Sequence, residues 1–88
     1  MFLIRAQVEI AMPYENASAR WAALCEEWDR VWAYYQKLQA ALTRKFALVA
    51  RGDFASNPSM EEISATEAAY ERVEQARARM NKFVRENA

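Results

Sequence analysis

From Tyr14 to Val49 the chain repeats every seven residues, and this repeat limits what it can fold into. Written as a heptad abcdefg, Tyr14, Trp21, Trp28, Tyr35, Leu42 and Val49 fall at a. Ala17, Leu24, Val31 and Leu38 fall at d, and Lys45 interrupts that series. Cys25, Trp32 and Phe46 at e widen the stripe on one side, and Tyr34 and Leu48 at g widen it on the other. Glu26, Asp29, Arg30, Gln36, Lys37, Thr43 and Arg44 occupy the opposite positions. The pattern predicts an amphipathic helix whose apolar face is wider than a two-stranded seam needs. Pro13 suits the first helical position, where its missing N–H costs nothing. Asn16 or Ser18 as N-cap is the alternative, with a shorter helix. At the other end Arg51 closes the last turn and Gly52 supplies the left-handed residue that commonly stops a helix.

The loop GDFASNPS follows. Ser59 and Glu62 have capping-box spacing, while Asn57 with Pro58 forms an equally suitable start. The second helix therefore begins near 58 or 59 and runs to about 87. Its heptad places Ile63, Tyr70, Arg77 and Val84 at a, and Thr66, Val73 and Met80 at d. Ala69, Ala76 and Phe83 at g extend the face. Rings on the first helix face alanines on the second, the large-against-small arrangement that lets layers interdigitate. Each helix is acidic early and basic late, so folding back sets the basic end of one beside the acidic end of the other. The implied register pairs Val49 with Ile63, Leu42 with Tyr70, Tyr35 with Arg77 and Trp28 with Val84. The first helix then has roughly ten extra residues, and its Tyr14–Arg20 end overhangs by about 15 Å.

Before it, Ile4, Ala6, Val8 and Ile10 alternate with Arg5, Gln7 and Glu9, the period of a half-buried strand. The chain offers no second strand, so residues 1–12 read as a short β-strand or extended arm whose backbone needs another chain's edge. The expected fold is mainly α: one domain over 1–88, an antiparallel hairpin of a long helix (13–51) and a shorter one (58–87). Three Trp, four Tyr and four Phe are more than one two-helix seam hides, and no disulfide is available to a single Cys. Dimerisation into a four-helix bundle is the simplest remedy.

Several chemistries have no residues to carry them. Histidine is absent, so a carboxylate row at Glu67, Glu71 and Glu74 lacks the Glu-x-x-His partner of di-metal bundles. Cys25 has no imidazole to activate it, and one glycine builds no phosphate loop. The expectation is a protein that is not an enzyme, with no cofactor, no metal and no small-molecule substrate. Arg51-Gly52-Asp53 reads as a helix stop and turn rather than an integrin ligand. With no secretory pattern or membrane span in the sequence, a cytoplasmic location is expected.

A small interaction module remains: an adaptor, assembly factor, chaperone or inhibitor. It acts as a homodimer or on a protein partner through its aromatic helix face and N-terminal strand. Candidate interface residues are Ile4, Val8, Ile10, Tyr14, Trp32, Tyr34 and Tyr35, with Lys45 and Arg77 as polar residues that set register. The alternative is a dimeric nucleic-acid regulator using Arg72, Arg79, Lys82 and Arg85, against which the equal counts of 12 acidic and 12 basic residues argue.

Overall fold

The structure, a computed structural model, describes the backbone of residues 2–87 and the side chains of residues 16–87. Helix α1 spans Phe2–Ala50, a 3₁₀ turn spans Phe54–Ser56, and α2 spans Met60–Asn87. The two helices pack antiparallel as a hairpin. The 49 residues of α1 set the long dimension of the molecule, 73 Å.

The start of α1 corrects the expectation for residues 2–12. The backbone expected as a strand is helical from Phe2, and no strand occurs among the described residues. Leu3, Arg5, Ala6, Gln7, Glu9 and Met12 are all good helix formers, and Ile4 and Val8 also satisfy an i, i+4 spacing. Pro13 consequently lies inside the helix rather than at its first position, where it removes a donor from the backbone ladder. The early start also leaves the first turn of α1 without an acidic residue. The side chains of Ile4, Val8, Ile10 and Tyr14 lie outside the described residues.

Both inner helix ends form as their sequences require. Gly52 has φ 97°, its N–H donates to the Val49 carbonyl at 2.9 Å, and the Asp53 N–H donates to the Leu48 carbonyl at 3.0 Å. This is a Schellman stop, which satisfies two otherwise unpaired carbonyls. At α2, the Glu62 N–H donates to Ser59 Oγ and the Ser59 N–H donates to Glu62 Oε1, each at 3.1 Å. Ser59 is therefore the N-cap and Asn57 is not. Pro58, just before the cap, is buried.

The packing of α2 differs from expectation in phase and in register. Its buried residues are Thr66, Ala69, Val73, Ala76 and Phe83, which are the d and g positions. The a positions point elsewhere: Tyr70 is 46% exposed, Val84 52%, and Arg77 is exposed. The contacts that fix register join Trp21 to Phe83, Tyr35 to Tyr70 and Lys45 to Glu62. Tyr35 was expected opposite Arg77, so α2 sits one heptad further along α1. The cause lies in the connection. The loop turns back so that its 3₁₀ turn packs against α1. The shift carries the end of α2 to near the level of Ala17, yet the overhang still exceeds the expectation because α1 begins at Phe2.

Few side chains are fully enclosed. Leu42, Ala69, Val73, Ala76 and Phe83 form the core. Thr66, the one buried polar residue among those described, donates its hydroxyl to the Glu62 carbonyl at 2.9 Å.

Candidate functional site

A two-helix hairpin has two broad faces, and here they differ in chemistry. Turning α2 so that d and g meet α1 brings its a and e positions onto the same side as the a and e positions of α1. Tyr35, Gln39, Leu42 and Phe46 from α1 thereby meet Ile63, Glu67 and Tyr70 from α2 around an open groove of about 690 Å³. Towards the open end the surface continues through a smaller hollow lined by Trp21, Trp28, Arg77, Met80 and Val84. Between the two hollows the rings form a chain. Trp28 stacks on Trp32 at 5.6 Å and 8°, Trp32 leans on Tyr35 at 5.8 Å, and Tyr35 crosses to Tyr70 at 5.3 Å.

The other face is charged. Glu27 pairs with Arg79 and Lys45 with Glu62, both bridging the helices. The acidic and basic ends meet as the charge order implied. Lys45 occupies a d position with its ammonium on Glu62. That hydrogen bond, ahead of the backbone N–H of Ser59, holds the Glu62 carboxyl below its usual range. Arg77 does not enter the seam; it borders the aromatic face beside Trp28. The cation–π contact found among the described residues is a different one, Arg20 over Phe83 at 5.2 Å.

The candidate interface residues therefore separate. Trp32 and Tyr35 join the aromatic face, whereas Tyr34, 49% exposed, belongs to the opposite side. The sequence reading did not single out Phe46, Ile63, Tyr70 or Val84 as interface residues. Three of the four, Ile63, Tyr70 and Val84, carry the a-position signal that looked like core. Tyr70 ionises above its usual range because the Glu74 carboxylate lies beside its hydroxyl.

The remaining motifs are structural or dispersed. Asp53 of the Arg51-Gly52-Asp53 sequence accepts a hydrogen bond from Ser56 Oγ at 2.7 Å, which ties it into the turn. Of the four candidate nucleic-acid contacts, Arg79 is engaged with Glu27 and Lys82 lies 3.9 Å from Glu86. Among the described residues no group of His, Cys, Asp and Glu is arranged to hold a metal, and no helix is long and apolar enough to cross a membrane.

The surface as a whole is larger than a closed fold requires. A compact monomer of 10.2 kDa exposes roughly 5,300 Å² by the usual scaling. This chain exposes 7181 Å². No family model matches the chain, and comparison with characterised proteins and with solved structures finds no match.

Proposed function

We propose that this chain is a non-enzymatic protein-interaction module that works by contact, through the aromatic face of its hairpin. The single observation that carries this reading is the unbroken run of Trp28, Trp32, Tyr35 and Tyr70 across both helices, continued by Phe46 and Ile63 at one end. Clustered Trp and Tyr side chains are where protein interfaces concentrate their energy. An adaptor, assembly factor, chaperone or inhibitor would use such a face, either on a second copy in a four-helix bundle or on another protein. A reducing cytoplasm suits its one free thiol.

The test is affinity capture from the native host with the wild-type chain, a Trp32→Glu/Phe46→Glu variant and a Tyr34→Glu control. The expected result is a defined protein, either another copy or a different chain, retained by wild type and Tyr34→Glu but lost from the double variant. Equal retention by all three, or loss only in Tyr34→Glu, would place any contact elsewhere and overturn the reading.

A further inference from the structure

Resting on the reading that the aromatic face is a protein-contact surface, we infer that its occupant is a second copy of this chain. The copy lies antiparallel, about a two-fold axis that crosses the hairpin at the stacked Trp28–Trp32 pair.

Charge order along α2 carries the argument. The positions of α2 that border the face are a, e and b. Towards the loop they hold Glu67, Glu71 and Glu74; towards the open end they hold Arg77 and Arg85, with the uncharged Asn81 at the level that faces Glu71 in the register below. A two-fold axis perpendicular to the helices sets α2 on α2 and reverses one of them. Glu74 then lies over Arg77 of the second copy when the axis falls midway between them. With the axis at that level, Glu67 lies over Arg85 of the second copy. One register thus satisfies both pairs, and symmetry makes each pair twice. A two-fold axis parallel to the helices instead sets Glu67 and Glu74 against the uncharged Gln39 and Trp32 region of α1.

The same axis level can be read on α1. Tyr35 beside Tyr70 and Trp21 beside Phe83 place the middle of that register between Trp28 and Trp32. The stacked indoles of one copy therefore meet those of the other. Chain length agrees as well. The backbone of α1 runs beyond α2 at the open end, and the reversed copy brings its Phe46 end alongside that extension.

The elongated chain leaves more surface open than a compact fold of its mass. The chain exposes 7181 Å², about 1,900 Å² above a compact monomer of its mass. Each partner in a standard interface contributes about 800 Å².

The experiment uses the full chain carrying Cys25→Ser and Ala55→Cys, spin-labelled at the loop tip, with light scattering for mass and pulsed dipolar spectroscopy for distance. The expected result is a dimer with the two loop tips about 60 Å apart, since each tip lies some 20 residues from the axis at 1.5 Å per residue. Arg77→Glu dissociates it, and mixing a Glu67→Arg/Glu74→Arg chain with an Arg77→Glu/Arg85→Glu chain restores a heterodimer. A dimer with tips within about 25 Å, the spacing of helices packed in parallel register, overturns the proposal. So does a monomer at every concentration. In either case a host protein captured through Trp32 and Phe46 keeps the contact reading alive, and its absence removes that reading too.

Discussion

Replacing Ala76 by leucine tests the packing of α2 most sharply. Ala76 is 1% exposed in the seam with α1, where its small side chain lets the helices approach. A leucine there must push the helices apart or adopt a strained rotamer. Insertions of this size into packed cores cost about 1–3 kcal/mol. The open hollow beside Trp28 and Met80 allows partial relief, so about 2 kcal/mol is expected. For a chain of this length that lowers the melting midpoint by roughly 10 °C. Gln75→Leu, one residue away on an exposed outer position, should change stability by less than about 0.5 kcal/mol. Urea titration followed by circular dichroism, at one fixed protein concentration, measures both. If Ala76→Leu is neutral while Arg77→Ala costs more than about 2 kcal/mol, the a positions form the seam and the phase described here is wrong.

Three further expectations concern the helix ends and the interhelical charges. Gly52→Ala meets no neighbouring atom but must hold φ 97°, so it should cost about 1 kcal/mol from backbone strain alone in urea titration. Ser59→Ala breaks the reciprocal cap with Glu62 and should cost about 1 kcal/mol, with hydrogen exchange rising first in the opening turn of α2. The Glu62 carboxyl is held low in the folded state, so its contribution is complete above its ordinary value of about 4.5 and disappears as pH falls through the lower folded value. Melting temperatures between pH 7 and pH 2 should therefore fall less steeply in Glu62→Gln than in wild type.

The parts of this fold that were legible in the sequence are those set by local chemistry. The a/d stripe of α1, the Gly52 stop, the Ser59–Glu62 cap and the antiparallel charge order each depend on neighbouring residues or on residues one turn apart. What was not legible depends on competition between long-range alternatives. Ile4 to Ile10 alternates like a strand, yet its residues are also good helix formers, and periodicity over so short a stretch cannot separate the two. The seam of α2 was misplaced because Ala69 and Ala76 add little hydrophobicity, whereas Ile63, Tyr70 and Val84 beside them add much. Matching the rings of α1 requires the small residues, so the bulky series turns outward and becomes the face. The one-heptad shift in register arose from the loop, whose return path along α1 has no sequence signature. Trp32 and Tyr35 were recognisable as candidates, but Tyr70 and Phe46 join them only once the helices are placed.

Hydroxyl-radical footprinting of the aromatic side chains, on the full chain across a wide concentration range, tests the central claim most directly. Tyr34 and Tyr70 are almost equally exposed in the single chain, at 49% and 46%, but lie on opposite faces. Rising concentration should protect Trp32, Phe46 and Tyr70 together while Tyr34 and Phe54 stay reactive. Protection of Tyr34 instead, or reactivities that do not change with concentration, would contradict an aromatic face built to be covered by a second copy.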